Sequence, residues 1–192
     1  MESAGPWARN SSLTPHSGTL SCRLLLRHMA GFCSAVDMMH AKSRLGGGIR
    51  ISATADAPLE EAITQVVEEI RAAFPEREIL LEVSFGRPVS CDAPRVAQAI
   101  SNLLSNAVRH GAQSAPIEVR GLIDQGEIEI SVTNQGEAVP EDLRQNLFQP
   151  FRRGARTEGD GLGLGLYIAS SIAMAHGGRI DVTCGGGPPR SF

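Results

Sequence analysis

A run of three glycines alternating with leucines constrains the fold of this chain more than any other feature. It leads directly into the apolar segment Tyr167–Ala175. Glycine lets the backbone approach an anion closely, and the first N–H groups of a helix have no partner within that helix. The run therefore predicts a phosphate-binding loop that opens into a helix. Its residues are Gly161, Leu162, Gly163, Leu164, Gly165 and Leu166.

Two further motifs precede this loop in the sequence. The first is 102–111, Asn-Leu-Leu-Ser-Asn-Ala-Val-Arg-His-Gly, and the second is 132–140, Val-Thr-Asn-Gln-Gly-Glu-Ala-Val-Pro. Asn102 and Asn106 are four residues apart, so both amides leave the same face of a helix. Amide oxygens are hard, uncharged ligands that suit Mg²⁺ when phosphate oxygens complete its shell. The alternative for either Asn is capping of a helix or loop.

In this order and at this spacing, the three motifs resemble the N, G1 and G2 boxes of the sensor histidine kinases. The segment 147–154, Leu-Phe-Gln-Pro-Phe-Arg-Arg-Gly, matches the F box beside the ATP lid of that family. The resemblance covers residues 59–182 and implies a Bergerat-type ATP-binding fold. That fold is a two-layer α/β sandwich, in which helices cover a mixed sheet. The sequence lacks the Gly-Lys-Ser/Thr of a P-loop and the catalytic motifs of the Ser/Thr and Tyr kinases.

The resemblance also implies cofactors and residue roles. ATP and Mg²⁺ would be bound, with Asn106 as a metal ligand and Asn102 assisting. Arg109 would reach phosphate oxygens, so Asn106 and Arg109 are the catalytic candidates. His110 would lie beside the nucleotide, although an exposed Arg-His pair is the alternative. The expected nucleotide-binding residues are Asn102, Asn106, Arg109, His110, Asn134, Gly136, Ala138, Phe151, Arg152, Gly161, Leu162, Gly163, Leu164 and Gly165.

Asn134 and Ala138 depart from the family pattern. The family usually has Asp at the first position, where it accepts a hydrogen bond from the adenine amino group, and Gly at the second. Asn keeps an acceptor oxygen but loses the strengthening that a charge provides. The resemblance implies that Gly136 lets the backbone pass close under the adenine base. The alternative is a turn glycine at the end of a strand. We expect tuned or weakened nucleotide binding from these departures.

Three arginines precede the glycine loop, at Arg152, Arg153 and Arg156. The segment is expected to be a mobile lid, in which a cation could stabilise charge on the transferring phosphoryl group. The alternative is that these arginines only keep a surface loop soluble.

The N-terminal region predicts two segments. Residues 1–18 mix Gly, Pro, Ser and Asn without periodicity, which predicts a disordered leader. Over 19–45, apolar side chains at 3-4-3-4-3 spacing predict a helix with one apolar stripe. This helix resembles the second helix of a histidine kinase dimerisation hairpin; a helix docked on its own domain is the alternative. The stripe residues are Cys22, Leu25, Met29, Phe32, Val36 and Met39.

The ATP-binding domain is expected over 56–183, followed by an irregular tail at 184–192. Asp56 reads as the N-cap of a helix that contains Leu59, and Asp92 as the cap of a helix over 93–110. The segment 124–126, Asp-Gln-Gly, predicts a hairpin between two strands.

The composition is typical of a small cytoplasmic protein. The 192 residues are 42% hydrophobic, and a net charge of −3 gives no reason to expect nucleic acid as a partner. Every apolar run is shorter than the roughly 20 residues of a bilayer-spanning helix. The four cysteines form no CxxC pair and follow no secretory signal, so reduced thiols are expected.

Two features of the family are missing from the sequence. His16, His28 and His40 all lack the adjacent carboxylate that a phosphoacceptor histidine needs. The family has an apolar strand after the position of Val182, whereas the Gly and Pro residues of 183–192 do not supply one. The chain is therefore expected to be truncated or shifted in reading frame at both ends.

The expected function is phosphoryl transfer from Mg-ATP to a histidine in two-component signalling. The expected partners are a second copy or a complete histidine kinase, and a response regulator. Two alternatives are a non-catalytic ATP-binding module that regulates a partner kinase and a serine kinase of the anti-sigma type.

Overall fold

The computed structural model describes residues 18–27, 49–136, 139, 144, 146–150, 164–185 and 190–191. The strands in these residues are β1 (Gly18–Arg27), β2 (Thr54–Ala57), β3 (Ile79–Val83), β4 (Val89–Cys91), β5 (Ile117–Asp124), β6 (Glu127–Gly136), β7 (Arg179–Cys184) and β8 (Arg190–Ser191). The helices are α1 (Leu59–Ala73), α2 (Ala93–His110) and α3 (Gly165–Ala175). None of these helices has the length and apolar character needed to cross a membrane.

Six strands form one mixed sheet in the order β3-β5-β6-β1-β7-β8, and β2 pairs with β4 separately. Strands β3 and β5 are parallel, and the other neighbours are antiparallel. Alternate residues of β6 are buried, as expected for a strand with one face on the core. The α2 face that packs towards the sheet consists of Val96, Ala99, Ile100, Leu103, Leu104 and Ala107. The predicted two-layer α/β sandwich is thus confirmed.

Local signals explain two element boundaries. The Asp92 side chain accepts a hydrogen bond from the Arg95 N–H at 3.1 Å, which caps α2 as predicted. In the turn between β5 and β6, Gln125 and Gly126 have φ values of 47° and 88°. Two consecutive left-handed residues match the twist of a two-residue hairpin, so the predicted hairpin is confirmed.

The predicted N-cap at Asp56 is wrong. Asp56 lies within β2, and α1 begins at Leu59 after Pro58, with no side-chain capping bond. Instead, the Pro58 carbonyl accepts from the Ala62 N–H at 3.0 Å. Burial of Leu59 and Ile63 on the core then stabilises the helix without a polar cap.

The predicted helix over 19–45 is wrong where the structure describes it. Residues 18–27 form β1, an inner strand paired with β6 on one side and β7 on the other. Leu24 and Leu26 are fully buried at strand spacing, and both edges of β1 have hydrogen-bonded neighbours. This tertiary pairing outweighs the helical spacing of the apolar residues. Residues 28–45 of the predicted helix and 1–17 of the predicted leader lie outside the described residues.

The C-terminal segment is not wholly irregular. Arg190 and Ser191 form β8 and pair with Val182 and Asp181 of β7. The folded domain therefore uses residues on both sides of the predicted range 56–183.

Candidate nucleotide-binding site

Helices α2 and α3 run side by side in opposite directions. At the start of α2, the Asp92 N–H donates to Nε2 of His176, 3.2 Å away at the end of α3. Because Nε2 accepts, Nδ1 carries the ring proton and donates to the Ile172 carbonyl at 2.9 Å. The imidazole is buried, with 4% exposure. Sequence reasoning missed this contact, which aligns the first turn of α3 with the middle of α2.

The first turn of α3 forms one end of the candidate site. A Cβ on Gly165 would stand 3.4 Å from Oδ1 of Asn102, so the last glycine of the loop motif touches the first Asn of the helix motif. Asn102, Asn106 and Leu164 are partly exposed, and α3 has no side-chain capping bond at its start. Uncapped N–H groups beside an amide oxygen suit a phosphate with its counter-cation.

The end of α2 and the end of β6 form the other end of the site. Gly111 and Gly136 make a backbone bridge, and the Ala112 N–H donates to the Gln135 carbonyl at 2.6 Å. A Cβ on Gly136 would lie 2.7 Å from the His110 carbonyl oxygen, and one on Gly111 would lie 2.4 Å from that of Ala107. Only glycine permits this close approach of two backbones.

Asn134 is buried at this second end, with 6% exposure. Its Nδ2 donates to the Gln135 carbonyl at 3.3 Å and lies 3.2 Å from the point that a Cβ on Gly111 would occupy. The structure thus brings Asn134 and Gly136 together with the end of α2, as the motif order suggested.

Arg109 and His110 lie on the last turn of α2, where both side chains reach solvent. Partial burial lowers the pKa of His110, and the positive charge of Arg109 lowers it further. The ring is therefore mostly uncharged near neutral pH and is able to stack on a base or donate one hydrogen bond. Along the α2 axis, Asn102 and Gly111 are roughly 13 Å apart at the helical rise per residue. A ligand that reaches both ends must be elongated.

Arg77 is a buried cation that sequence reasoning missed. It is 5% exposed, and its Nη1 donates to the Ala112 carbonyl at 2.7 Å. Its Nε and Nη2 have no hydrogen-bond partner among the described residues. The guanidinium thus fixes the loop at Gly111 and Ala112, which in turn holds Gln135. In the sequence, Arg77 stands in a polar turn and looks like any exposed arginine.

Several predicted site residues lie outside the described part of the chain. They are Ala138, Phe151, Arg152, Arg153, Arg156, Gly161, Leu162 and Gly163.

Residues 91–189 match the family described as histidine kinase-, DNA gyrase B-, and HSP90-like ATPase. The chain belongs to this family. It is 34% identical over 170 residues to the bacteriophytochrome of Pseudomonas aeruginosa, covering 83% of this chain and 23% of that protein. It is 29% identical over 143 residues to the alginate biosynthesis sensor protein KinB of Pseudomonas aeruginosa, covering 73% and 24% respectively. The chain therefore spans about a quarter of the length of these relatives.

Solved histidine kinases share the fold. The mycobacterial sensor histidine kinase MprB aligns with a TM-score of 0.55 at 24% identity, over 74% of this chain and 100% of that one. Full-length ShkA in complex with AMPPNP aligns with a TM-score of 0.57 at 26% identity, over 76% of this chain and 33% of that one. The predicted ATP-binding catalytic domain of the histidine kinase type is confirmed by these matches.

Proposed function

We propose that the chain binds Mg-ATP along α2 and delivers the γ-phosphoryl group to a histidine on another polypeptide. The observation that carries the proposal is the arrangement of two groups of residues along the second half of α2. Gly165 lies against Asn102 at the middle of the helix, and Asn134 and Gly136 lie beside Gly111 just after its end. ShkA, which is similar over most of this chain, was solved with AMPPNP. That complex supports a nucleotide as the elongated ligand.

The triphosphate would lie at the Gly165 end. The N–H groups of the first turn of α3 would donate to its oxygens, and Arg109 would add a positive charge. Asn106 would be the main Mg²⁺ ligand with Asn102 assisting, because neutral amide oxygens complement a cation already held by phosphate oxygens. The metal would neutralise charge that develops during phosphoryl transfer.

The base would lie at the Asn134 end. Donation from Nδ2 to the Gln135 carbonyl orients the amide, so that Oδ1 is the atom that would accept from the adenine amino group. The uncharged ring of His110 would pack beside the nucleotide. As partners we propose a second copy or a complete histidine kinase that carries the acceptor histidine, with a response regulator acting after it.

Asn134→Asp is expected to tighten ATP binding by on the order of 1 kcal/mol, about fivefold, because a carboxylate accepts more strongly than an amide. Calorimetric titration with ATP measures the change. The matched control is Gln135→Glu, which adds the same charge one residue along β6 and should not tighten binding.

The unmodified chain should also prefer ATP to GTP, since guanine presents an acceptor where Asn134 needs a donor. Equal affinities for ATP and GTP would remove Asn134 from the base pocket.

The chain alone is expected to give no acid-labile, base-stable phosphoprotein with radiolabelled ATP, because no histidine in it has an acidic neighbour. Adding a histidine kinase hairpin with an intact acceptor should produce that label on the hairpin. Label on this chain alone, lost on replacement of His28 or His40, would contradict the proposal. Acid-stable label on a serine-bearing protein would indicate a serine kinase instead. ATP binding without any transfer would indicate a regulatory module.

A further inference from the structure

The last three residues of β6 have unequal support from the two neighbouring strands. On the β5 side, pairing ends at Glu118 with Thr133. On the β1 side, pairing continues through Leu20 with Asn134, Thr19 with Gln135, and Gly18 with Gly136. Within the sheet, the segment 134–136 is therefore held by β1 beyond the point where β5 ends.

We propose that β1 is the positioning strand of the base end of the nucleotide site, so that docking of residues 18–27 governs base binding. The inference rests on the proposed function, because it concerns the regulation of that same site. The site motifs do not indicate this role for β1, because all of them lie at least 75 residues after β1 in the sequence.

The direction of one peptide group shows how β1 reaches Asn134. The Thr19 carbonyl accepts from the Gly185 N–H at 2.7 Å, on the β7 side of β1. In a trans peptide the C=O and N–H point in opposite directions, so the Leu20 N–H points towards β6. Leu20 and Asn134 are then a hydrogen-bonded pair, and Ser21 and Thr133 the adjacent, more closely spaced pair. The 2.8 Å separation of Ser21 Oγ and Thr133 Oγ1 agrees with this assignment.

The opposite edge of this segment is held by the loop after α2. The Ala112 N–H donates to the Gln135 carbonyl, and Arg77 holds Ala112 in turn. Asn134 thus lies between a fixed loop and β1. Without the pairing to β1, the loop still holds Gln135, but the backbone N–H and C=O of Asn134 lose their strand partner and no longer fix the position of this residue.

Docking of β1 depends on contacts between residues that are far apart in the sequence. Ser21 and Thr133 are 112 residues apart, so closing this contact has a loop-closure cost that local pairing does not have. Burial of Leu24 and Leu26, both fully enclosed, offsets that cost. The position of β1 is therefore set by contacts with residues far along the chain and not by its neighbours in the sequence.

Leu20→Pro in the full chain tests the proposal. Proline removes the N–H that faces Asn134, and Leu20→Ala is the matched control because it keeps that N–H. We expect Leu20→Pro to weaken ATP binding roughly three- to tenfold, with Leu20→Ala close to the unmodified chain. Affinity for inorganic triphosphate, which has no base, should not change. Amide hydrogen exchange at Asn134 and Gly136, whose N–H groups face β1, should accelerate in the proline variant.

A cross-linked variant provides the second measurement. Cysteines replacing Ser21 and Thr133 face each other in a closely spaced pair, where a disulfide fits. Burial, with a smaller contribution from Cys184, raises the pKa of the neighbouring Cys22 to about 12, so that thiol should not compete. We expect an intrachain disulfide, and we expect it to restore ATP affinity when combined with Leu20→Pro.

Four results would overturn the proposal. Failure of the disulfide to form within one chain would show that β1 is not in this position. Equal weakening of ATP and triphosphate binding would indicate general destabilisation. Unchanged ATP affinity in Leu20→Pro would leave the proposed function standing and refute the role of β1. If hydrogen exchange and cross-linking behave as expected but ATP does not bind even to the unmodified chain, the proposed function fails, and base positioning by β1 fails with it.

Discussion

Gly178→Ala is expected to destabilise the domain by at least about 3 kcal/mol, at or above the upper end of ordinary overpacking costs. A Cβ at this position would stand 1.8 Å from the Leu25 carbonyl oxygen and 3.0 Å from Cα of Leu26. Both are backbone atoms of β1, which is paired on both edges and cannot move aside independently. Urea unfolding followed by circular dichroism would measure the loss.

Gly185→Ala is the matched control for this substitution. It lies at the other end of β7, where a Cβ would meet nothing within 4 Å. Its φ of 66° makes alanine strained, so a cost of only about 1 kcal/mol is expected. If both variants lost the same stability, β1 would not lie against the start of β7, and residues 18–27 would have to be placed elsewhere.

The elements that the sequence predicted well are those set by local signals. Helix α2 was expected over 93–110 and occupies Ala93–His110. Asp92 caps its start, and its apolar residues recur at helical spacing, so no distant contact is needed to define it. The turn at Gln125 and Gly126 is also a local feature, since it consists of two consecutive left-handed residues, the second of which is a glycine.

Strand β1 could not be predicted because its sequence satisfies two periodicities. Cys22 and Leu25 fit a helical stripe, whereas Cys22, Leu24 and Leu26 alternate as in a strand. The strand forms because β6 and β7 offer hydrogen-bonding edges from remote parts of the chain.

The roles of the motif residues in nucleotide binding stay predictions, and the sequence did not indicate which residues position them. Arg77 and His176 are buried polar residues whose partners are 35 and 84 residues away in the sequence. Nothing in their immediate neighbours distinguishes them from surface residues, since burial of a polar group depends on the assembled fold. The contact between Asn102 and Gly165 likewise follows from antiparallel packing of α2 and α3.

Asn106→Ala is expected to weaken Mg²⁺-dependent ATP binding at least tenfold, about 1.4 kcal/mol. The proposed role of Asn106 as the main metal ligand predicts that the loss appears only when Mg²⁺ is present. Asn106 is partly exposed on the middle of α2 and is not part of the buried core, so the fold should be retained. Calorimetric titration with ATP in millimolar Mg²⁺, and again in a chelator, measures the two affinities.

Ser105→Ala is the matched control, because Ser105 is exposed on the adjacent position of the same helix. It should change neither affinity. Asn106→Asp provides a second comparison: it keeps an oxygen ligand but adds a negative charge beside the triphosphate, so it should weaken ATP binding in chelator as well as in Mg²⁺. If Asn106→Ala weakened binding equally with and without Mg²⁺, the residue would contact the nucleotide directly, and the metal site would have to be sought on other residues.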